Sequence, residues 1–291
     1  MASSCQQSFF YFYHPKHSCY HLNHKRLMMP THKIPSLIRS SETAPPRAIS
    51  RIVWQTFKTD LVPIRMHKAA ASWSTKNPDC DYQFLADSDC AKMIAEFDHE
   101  LLECYERTPP GAFRADIWRY CALYRFGGIY ADMDTVCKYP MKKLIQDDDQ
   151  FIVAYDANKT KLFNAFMCSP PGHPVLKKML EIIKATLLND EQYRLIKNKP
   201  ALLYDVTGPG GLARAVTEVV GLPTGTTFTA KTYTAQGVKV KILRKLHKKP
   251  LWSRRVMVGF RTIILCKYEG YFEDMKAAGG THWSSSKIHA A

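Results

Sequence analysis

One stretch, residues 113–136 (FRADIWRYCALYRFGGIYADMDTV), constrains the fold more than any other part of the chain. Its first half predicts an amphipathic helix, because apolar side chains recur at the i, i+3, i+4, i+7 spacing. These side chains are Ile117, Tyr120, Cys121 and Tyr124. A Gly-Gly pair follows, where a helix ends readily because glycine tolerates a left-handed backbone. The apolar run 129–131 then predicts a short buried strand that ends at Asp132 and Asp134.

The two aspartates are spaced i, i+2, so on a strand they point to the same side and their charges repel each other. A divalent cation removes this repulsion, because it takes hard oxygen ligands and bridges to phosphate oxygens. Ligands of open α/β sheets bind beyond the carboxyl ends of the strands. Asp132 and Asp134 therefore predict a metal site facing a nucleotide pyrophosphate. A solvated acidic turn is the alternative that the spacing leaves open.

Several blocks between residues 47 and 215 resemble glycosyltransferase family 32. The run R-A-D-I-W-R-Y…Y-R-F-G-G-I-Y-A-D-M-D resembles the D-x-D region of that family, and N-A-F-M-C-S-P-P-G-H-P (164–174) resembles a second block. The family includes fungal α-mannosyltransferases of N-glycan and inositol-phosphoceramide synthesis and, more distantly, the glucosylating domains of clostridial toxins. The resemblance implies an α/β fold of GT-A type (Rossmann-like): a twisted, mostly parallel sheet flanked by helices, in a single domain.

The resemblance also implies a donor-binding site. The strand at residues 51–57 ends against the nucleotide base in the family, which makes Trp54, Gln55 and Thr56 candidates, although a buried Trp is more often a core residue. Asp116 and Arg119 would contact the ribose and the base or phosphate. Because they are spaced i, i+3 on one helix face, a simple intrahelical ion pair is the alternative.

Further candidates come from other matching blocks. Tyr130, beside the aspartate pair, and Asn164 would contact the donor, and Gly208 and Gly210 would let a ligand approach the backbone closely. Turn formation is the alternative for Asn164 and for the glycines. By comparison with related transferases, His282 would be the third metal ligand, although a His near a C-terminus is more often simply exposed.

Charge is unevenly distributed along the chain. Residues 47–230 carry 23 basic and 22 acidic residues, whereas residues 231–268 carry 11 Lys or Arg and no Asp or Glu. The sequence therefore predicts three segments: a flexible His-, Ser- and Pro-rich extension (1–46), a catalytic core (47–230), and a basic segment with a portion that covers the site (231–291). The basic stretch 231–268 is suited to peripheral contact with an anionic membrane or a polyanion, or is a solvated insertion.

The cysteines and the apolar runs bear on compartment. Nine scattered cysteines without a C-x-x-C pair argue against a zinc site and a disulfide framework. No run of 18 apolar residues and no convincing signal peptide are present, which predicts a cytoplasmic or membrane-peripheral protein. Analogy with the fungal family points instead to the Golgi.

Together these features predict a metal-dependent retaining glycosyltransferase that uses Asp132 and Asp134 with Mn²⁺ or Mg²⁺. It would move a hexose, mannose being the first choice, from GDP-mannose or a UDP-sugar to a hydroxyl of a glycan or glycolipid, with no nucleic acid partner. Two alternatives stay open. The motif D-M-D-T-V also fits haloacid-dehalogenase-like phosphatases, and the basic segment would suit a non-catalytic protein that binds a membrane or nucleic acid.

Overall fold

The computed structural model of the protein describes residues 30–247, 249–250 and 253–277. Strands and helices alternate through most of this range. The strands are β1 (Thr31–Lys33), β2 (Leu37–Ile38), β3 (Ile52–Phe57), β4 (Leu61–Pro63), β5 (Asp81–Ala86), β6 (Gly128–Ala131), β7 (Val136–Cys137), β8 (Phe151–Tyr155), β9 (Leu162–Ser169), β10 (Thr232–Ala235), β11 (Val238–Leu246), β12 (Arg255–Val258) and β13 (Arg261–Leu265). The helices are α1 (Ile64–Lys76), α2 (Asp87–Ala95), α3 (His99–Arg107), α4 (Ala112–Phe126), α5 (Met141–Leu144), α6 (Pro174–Leu187), α7 (Asp190–Asn198), α8 (Leu203–Val206), α9 (Pro209–Val219) and α10 (Tyr271–Ala277).

Eleven of these strands form one sheet. Its order is β2-β5-β3-β6-β9-β8-β11-β12-β13-β7, with β10 paired to β11, while β1 and β4 form a separate pair. The predicted α/β class, a sheet with flanking helices in a single domain, is confirmed. The sheet is mixed, however, and not mostly parallel: β5–β3, β3–β6 and β8–β11 are its parallel pairs, and the other pairs are antiparallel.

Three of the antiparallel pairs have a local cause in the chain. Short turns join β8 to β9, β10 to β11 and β12 to β13, and a short turn can only reverse the strand direction. In the β10–β11 turn, Gln236 and Gly237 both have positive φ, 50° and 80°, as tight hairpins require. The expectation of a mostly parallel sheet came from the family resemblance, and a continuous apolar run such as β8 shows only that a strand is buried on both faces. Here both faces of the antiparallel strands β6, β9 and β8 are buried in apolar cores.

Alternate residues of the central strands belong to two separate apolar cores. On β6, Tyr130 packs into the core formed with α4, α6 and α9, whereas Ile129 and Ala131 pack into the core that contains α1 and α5. Successive side chains of a strand point to opposite faces, so a strand that is apolar throughout is stable only between two helical layers. The largest fully buried side chains, Trp118 and Trp73, lie on opposite sides of the sheet.

The turn between α4 and β6 depends on its glycines. Gly127 and Gly128 have φ of 66° and 104°, a region that favours glycine. A Cβ at Gly127 would also lie 2.7 Å from the ring of Pro171. The helix, glycine turn and strand predicted for residues 113–136 are therefore present, and the tight turn sends β6 directly beneath α4.

The three segments predicted with boundaries at residues 46 and 230 each contribute strands to the main sheet. Part of the extension, residues 1–46, forms β1 and β2, which pair with β4 and β5. The basic segment 231–268 forms four strands, β10 to β13. No helix in the described part of the chain has the length and apolar character of a membrane span.

Candidate active site

A cavity of about 390 Å³ opens where β6 ends, a volume typical of small-ligand sites. Its charged lining consists of four carboxylates and four cations. The carboxylates are Asp116, Asp132, Asp134 and Asp156. The cations are Arg119, Lys245, Arg254 and Lys267. With Asn164, which also lines the cavity, the structure brings five of the predicted site residues together.

The turn after β6 presents the aspartate pair to the cavity. The N–H of Asp132 continues the sheet and donates to the carbonyl of Ala165, at 3.0 Å. The carbonyl of Asp132 accepts the backbone N–H (3.0 Å) and the hydroxyl (2.6 Å) of Thr135, which closes a tight turn. The side-chain amide of Gln55 donates to the same carbonyl at 3.2 Å. The backbone that carries Asp132 and Asp134 is thus fixed from three sides before any ligand binds.

Arg119 joins two of the carboxylates. Its Nη2 lies 3.1 Å from an oxygen of Asp116 and 3.1 Å from an oxygen of Asp132, and its Nη1 donates to the carbonyl of Asn164 at 2.7 Å. The guanidinium lies 4.3 Å from the ring centre of Tyr130 and is 3% exposed as a residue. Although burial lowers it, the pKa of Arg119 is held above its ordinary value, chiefly by Asp132. Arg119 is therefore a permanent, rigidly held cation.

Asp116 is buried beneath Arg119. Its Oδ1 accepts a hydrogen bond from the amide of Asn164 at 2.9 Å, and its Oδ2 accepts one from the hydroxyl of Thr207 at 3.3 Å. Burial raises the pKa of Asp116 to about 7, against the opposing effect of Arg119. The intrahelical ion pair that was the alternative to a site position is present, and it lines the cavity at the same time.

The two carboxylates of the pair have different partners. Oδ1 of Asp132 accepts the hydroxyl of Tyr130 at 2.7 Å. Asp134 is buried, and its Oδ2 forms an ion pair with the ammonium of Lys267. Burial raises the pKa of Asp134, and the charge of Lys267 opposes that shift. Each carboxylate keeps one oxygen outside these contacts, Oδ2 of Asp132 and Oδ1 of Asp134.

These two oxygens fit a hard divalent cation. Mn²⁺ and Mg²⁺ prefer oxygen ligands and commonly take a few from the protein and the rest from phosphate and water. Within residues 30–247, 249–250 and 253–277, no group of three or more His, Cys, Asp or Glu is arranged to hold a metal. A bound ion would therefore depend on ligand oxygens to complete its shell. His282, the predicted third ligand, lies outside the described residues.

A second buried ion pair also lines the cavity. The Lys245 ammonium lies 2.6 Å from Oδ1 of Asp156, and the hydroxyl of Tyr204 donates to Oδ2 of Asp156 at 3.3 Å. Burial raises the pKa of Asp156, but Lys245 outweighs that effect, so the pKa lies below its ordinary value. Lys245 also lies 3.5 Å from the ring centre of Phe163, and the ring of Phe163 contributes to the apolar part of the lining.

Three of the four cations were missed by sequence reasoning. Lys245 lies on β11, Arg254 immediately precedes β12, and Lys267 follows β13, so three neighbouring strands each bring one cation to the cavity. The feature of the sequence that pointed to these cations was the acid-free stretch 231–268. It identified the basic segment but not which of its Lys and Arg residues reach the cavity. Four other cations of the stretch lie elsewhere: Lys239 and Lys241 pair with Asp148 and Asp149, and Arg244 and Lys249 are exposed.

The predicted base-binding residues lie outside the cavity lining. Trp54 is in the core between Trp118 and Phe126, with ring centres 6.3 and 5.6 Å away, and its Nε1 donates to a backbone carbonyl. Thr56 donates to the carbonyl of Leu85 at 2.8 Å. Gln55 is fully buried, and its amide braces the backbone at the end of β6. Their prediction as donor contacts stays a prediction.

The predicted glycines lie beside the cavity at the start of α9. Gly208 is the N-cap residue of α9, and Pro209 between the two glycines lines the cavity. A Cβ at Gly210 would lie 2.0 Å from the Asp205 carboxylate and 2.9 Å from the Asp205 Cα, so no side chain fits there. The close packing of α8 and α9 accounts for Gly210, and its predicted contact with a donor stays a prediction.

The comparisons with known proteins agree with this site. The family described as "Glycosyltransferase sugar-binding region containing DXD motif" matches residues 63–151, which include α4, β6 and the aspartate pair. The chain is 25% identical over 191 residues to the initiation-specific alpha-1,6-mannosyltransferase of Candida albicans, a match that covers 54% of this chain and 50% of that protein. It is 35% identical over 138 residues to inositol phosphoceramide mannosyltransferase 3 of Schizosaccharomyces pombe, covering 46% and 36% of the two chains.

Among solved structures, "PaToxG Glycosyltransferase" aligns with a TM-score of 0.47 and 19% identity, over 61% of this chain and 72% of that one. The chain spans half or less of the length of the two mannosyltransferases above. The family match nevertheless contains both aspartates of the motif together with Asp116 and Arg119. Residues 63–151 are therefore similar to the family of glycosyltransferase sugar-binding regions that contain a DXD motif.

Proposed function

We propose that the protein transfers a hexose from a nucleotide sugar to a hydroxyl acceptor. The observation that carries this proposal is the meeting of two sets of charges at one cavity. The carboxylates of the DXD motif and cations from three consecutive strands line the same cavity. A nucleotide diphosphate leaving group needs charge stabilisation more than it needs a base, and this lining supplies it.

Asp132 and Asp134 would hold the metal, Mn²⁺ or Mg²⁺. When bound, such an ion acts as a Lewis acid on the departing phosphate. The protein's own contribution is preorganisation: Arg119 locks Asp132 in place, and Lys267 neutralises Asp134. The network around Asp116 keeps Arg119 from moving towards solvent. The site would therefore stabilise the departing charge with little reorganisation of its own.

The donor and acceptor are inferred from the relatives. Mannosyltransferases among them favour mannose as the hexose, with GDP-mannose as the donor and a UDP-sugar as the second choice. The relative named for inositol phosphoceramide favours a glycan or a glycolipid as acceptor. The resemblance to the retaining family implies an α-linked product. Contact between the stretch 231–268 and an anionic membrane stays a prediction, and pairing of Lys239, Lys241 and Lys245 with carboxylates reduces the charge available for it.

A nucleotide-release assay tests this function. GDP-, UDP- and CMP-sugars are supplied in turn with Mn²⁺ to the wild type, to Asp134→Asn and to Asp147→Asn, a matched change at an exposed carboxylate. We expect metal-dependent release from one donor, lost by about a hundredfold or more in Asp134→Asn and unchanged in Asp147→Asn. No release from any donor, together with no donor binding by calorimetry, would overturn the proposal.

The phosphatase alternative receives less support. Phosphatases with a D-x-D-x-T/V motif carry it on their first strand and use an acidic pair from a later one, whereas here the motif follows β6, the sixth strand of the chain. The acidic run 147–149 does not line the cavity, and Asp148 and Asp149 are paired with lysines. Hydrolysis of p-nitrophenyl phosphate with Mg²⁺, lost in Asp132→Asn, would restore that alternative.

A further inference from the structure

Arg254 differs from the other cations of the cavity in having no acidic partner. Arg119, Lys245 and Lys267 each form an ion pair with a carboxylate of the lining. No Asp or Glu of residues 30–247, 249–250 and 253–277 lies within ion-pair distance of Arg254, and those ranges contain all 26 Asp and Glu of the chain. The chain therefore offers no acidic side chain to neutralise this guanidinium.

A second observation points to a ligand at the same residue. Nε of Arg254 is buried and has no hydrogen-bond acceptor among the described residues. A buried N–H without an acceptor costs free energy, and more so on a charged group. An arginine that lines a cavity without an acidic partner gains a counter-charge when an anion enters the cavity and accepts from its guanidinium.

The position of Arg254 is set by the sheet. Its carbonyl accepts the N–H of Cys266 at 2.9 Å, which ties it to the end of β13. Because β12 lies between β11 and β13, Arg254 lies between the strands that carry Lys245 and Lys267. It is thus held on rigid elements between the other two strand cations of the cavity.

We propose that Arg254 is a phosphate-binding residue of this cavity. The guanidinium presents planar, paired donors that match two oxygens of one phosphate, which a lysine ammonium does not. The proposal rests on the proposed function for the identity of the ligand, a nucleoside diphosphate. A phosphate carried by the acceptor has the same chemistry and is the other source.

Calorimetry on Arg254→Gln, Arg254→Lys and the exposed control Arg244→Gln tests the proposal. The probes are GDP, UDP, their nucleosides, inorganic pyrophosphate and inorganic phosphate. We expect Arg254→Gln to weaken binding of the diphosphate by about tenfold to a hundredfold and to leave binding of the nucleoside unaffected. Arg254→Lys should restore diphosphate binding only in part. Arg244→Gln should match the wild type. Thermal unfolding of each variant shows that the fold is kept.

The outcomes separate the two sources and the two proposals. Arg254→Gln could bind nucleoside diphosphate normally, while inorganic phosphate no longer binds to the complex of this variant with nucleoside diphosphate. In that case Arg254 binds a phosphate of the acceptor. If the wild type binds pyrophosphate through Arg254 and no nucleotide, the phosphate site stands and the proposed function fails. If Arg254→Gln binds every probe within threefold of the wild type, or the wild type binds none, the inference is overturned.

Discussion

Replacing Arg119 with lysine tests whether the buried network holds the site together. Arg119 contacts two carboxylates and also donates to two carbonyls, through Nη1 to Asn164 at 2.7 Å and through Nε to Ala115 at 3.2 Å. A lysine keeps the charge, so Asp116 and Asp132 retain a cation. Its single ammonium cannot reach all four acceptors, because its three donors leave from one atom instead of a planar fork.

The expected cost follows from the contacts that are lost. Asn164 is 6% exposed as a residue, so its carbonyl is a buried acceptor. A buried acceptor left without a donor costs about 1–3 kcal/mol. Loss of the bond to Ala115 and of the stacking on Tyr130 adds about 1 kcal/mol. We therefore expect Arg119→Lys to lower the free energy of unfolding by about 2–4 kcal/mol, which corresponds to a fall in Tm of roughly 4 to 10 °C.

Thermal and urea unfolding measure this cost, and Arg125→Lys is the matched control. Arg125 lies on the same helix, but its contact with Glu96, at 3.7 Å, is solvent-exposed. Such pairs contribute about 0–1 kcal/mol, so the control should unfold within about 1–2 °C of the wild type. Equal changes in Tm for the two variants would refute the reasoning that the network stabilises the fold. Donor affinity measured on the folded Arg119→Lys protein then shows separately whether Asp132 has lost its position.

Three other predictions address the metal, pH and packing. Lys267→Met removes the cation that competes for Asp134, so calorimetry should show Mn²⁺ binding about tenfold tighter, and an unchanged or weaker Kd would contradict this. Burial lowers the pKa of His173 to about 4 from 6.5, so the unfolded chain binds the proton first as pH falls. From pH 7.5 to 5, the wild type should therefore lose about 2 kcal/mol of stability relative to His173→Asn, in which Asn can still cap α6; an unchanged difference in urea unfolding would contradict this. Gly211→Ala places a Cβ 2.2 Å from the carbonyl of Val206, so Tm should fall by several degrees, roughly as for 1–3 kcal/mol, and an unchanged Tm would contradict this.

Local patterns allowed much of the fold to be predicted from the sequence. The spacing of apolar residues predicted α4, the Gly-Gly pair predicted its end, and the short apolar run predicted β6. The pair Asn77-Pro78 marks the end of α1 at Lys76 in the same way, because proline disfavours a helical residue before it. These features depend on residues close together in the chain, where propensity and periodicity act directly.

Strand pairing was not predictable in the same way. Whether two strands run parallel depends on which ones meet, and the pairs β8–β11 and β6–β9 join residues that are distant in the chain. Trp54 shows the same limit at the level of one residue. Its place in the strand was predicted, but the side of the sheet that it faces was decided by packing against Trp118 and Phe126. A strand's two faces look alike in sequence when both are buried.

The cationic half of the site shows what kind of information the sequence did hold. The stretch 231–268 lacks acidic residues. Its charge taken alone suggested a solvated insertion or a membrane-binding face. In the fold, four of its eleven cations form ion pairs with carboxylates of residues 134–156: Lys239, Lys241, Lys245 and Lys267. The acidic partners lie about 90 to 130 residues earlier in the chain.

The charge imbalance is therefore partly complementary within the fold, since strands β11 to β13 lie against the part of the chain that carries the DXD pair and the acidic run 147–149. Such complementarity neutralises the buried carboxylates in the free protein. It also sets Arg254 apart, because this cavity cation has no acidic partner in the chain. A segment whose charges served only solubility would have no reason to place a cation without an acidic partner at a cavity. The distribution of ion pairs among the cavity cations, more than the net charge of the segment, is what points to an anionic ligand beside Arg254.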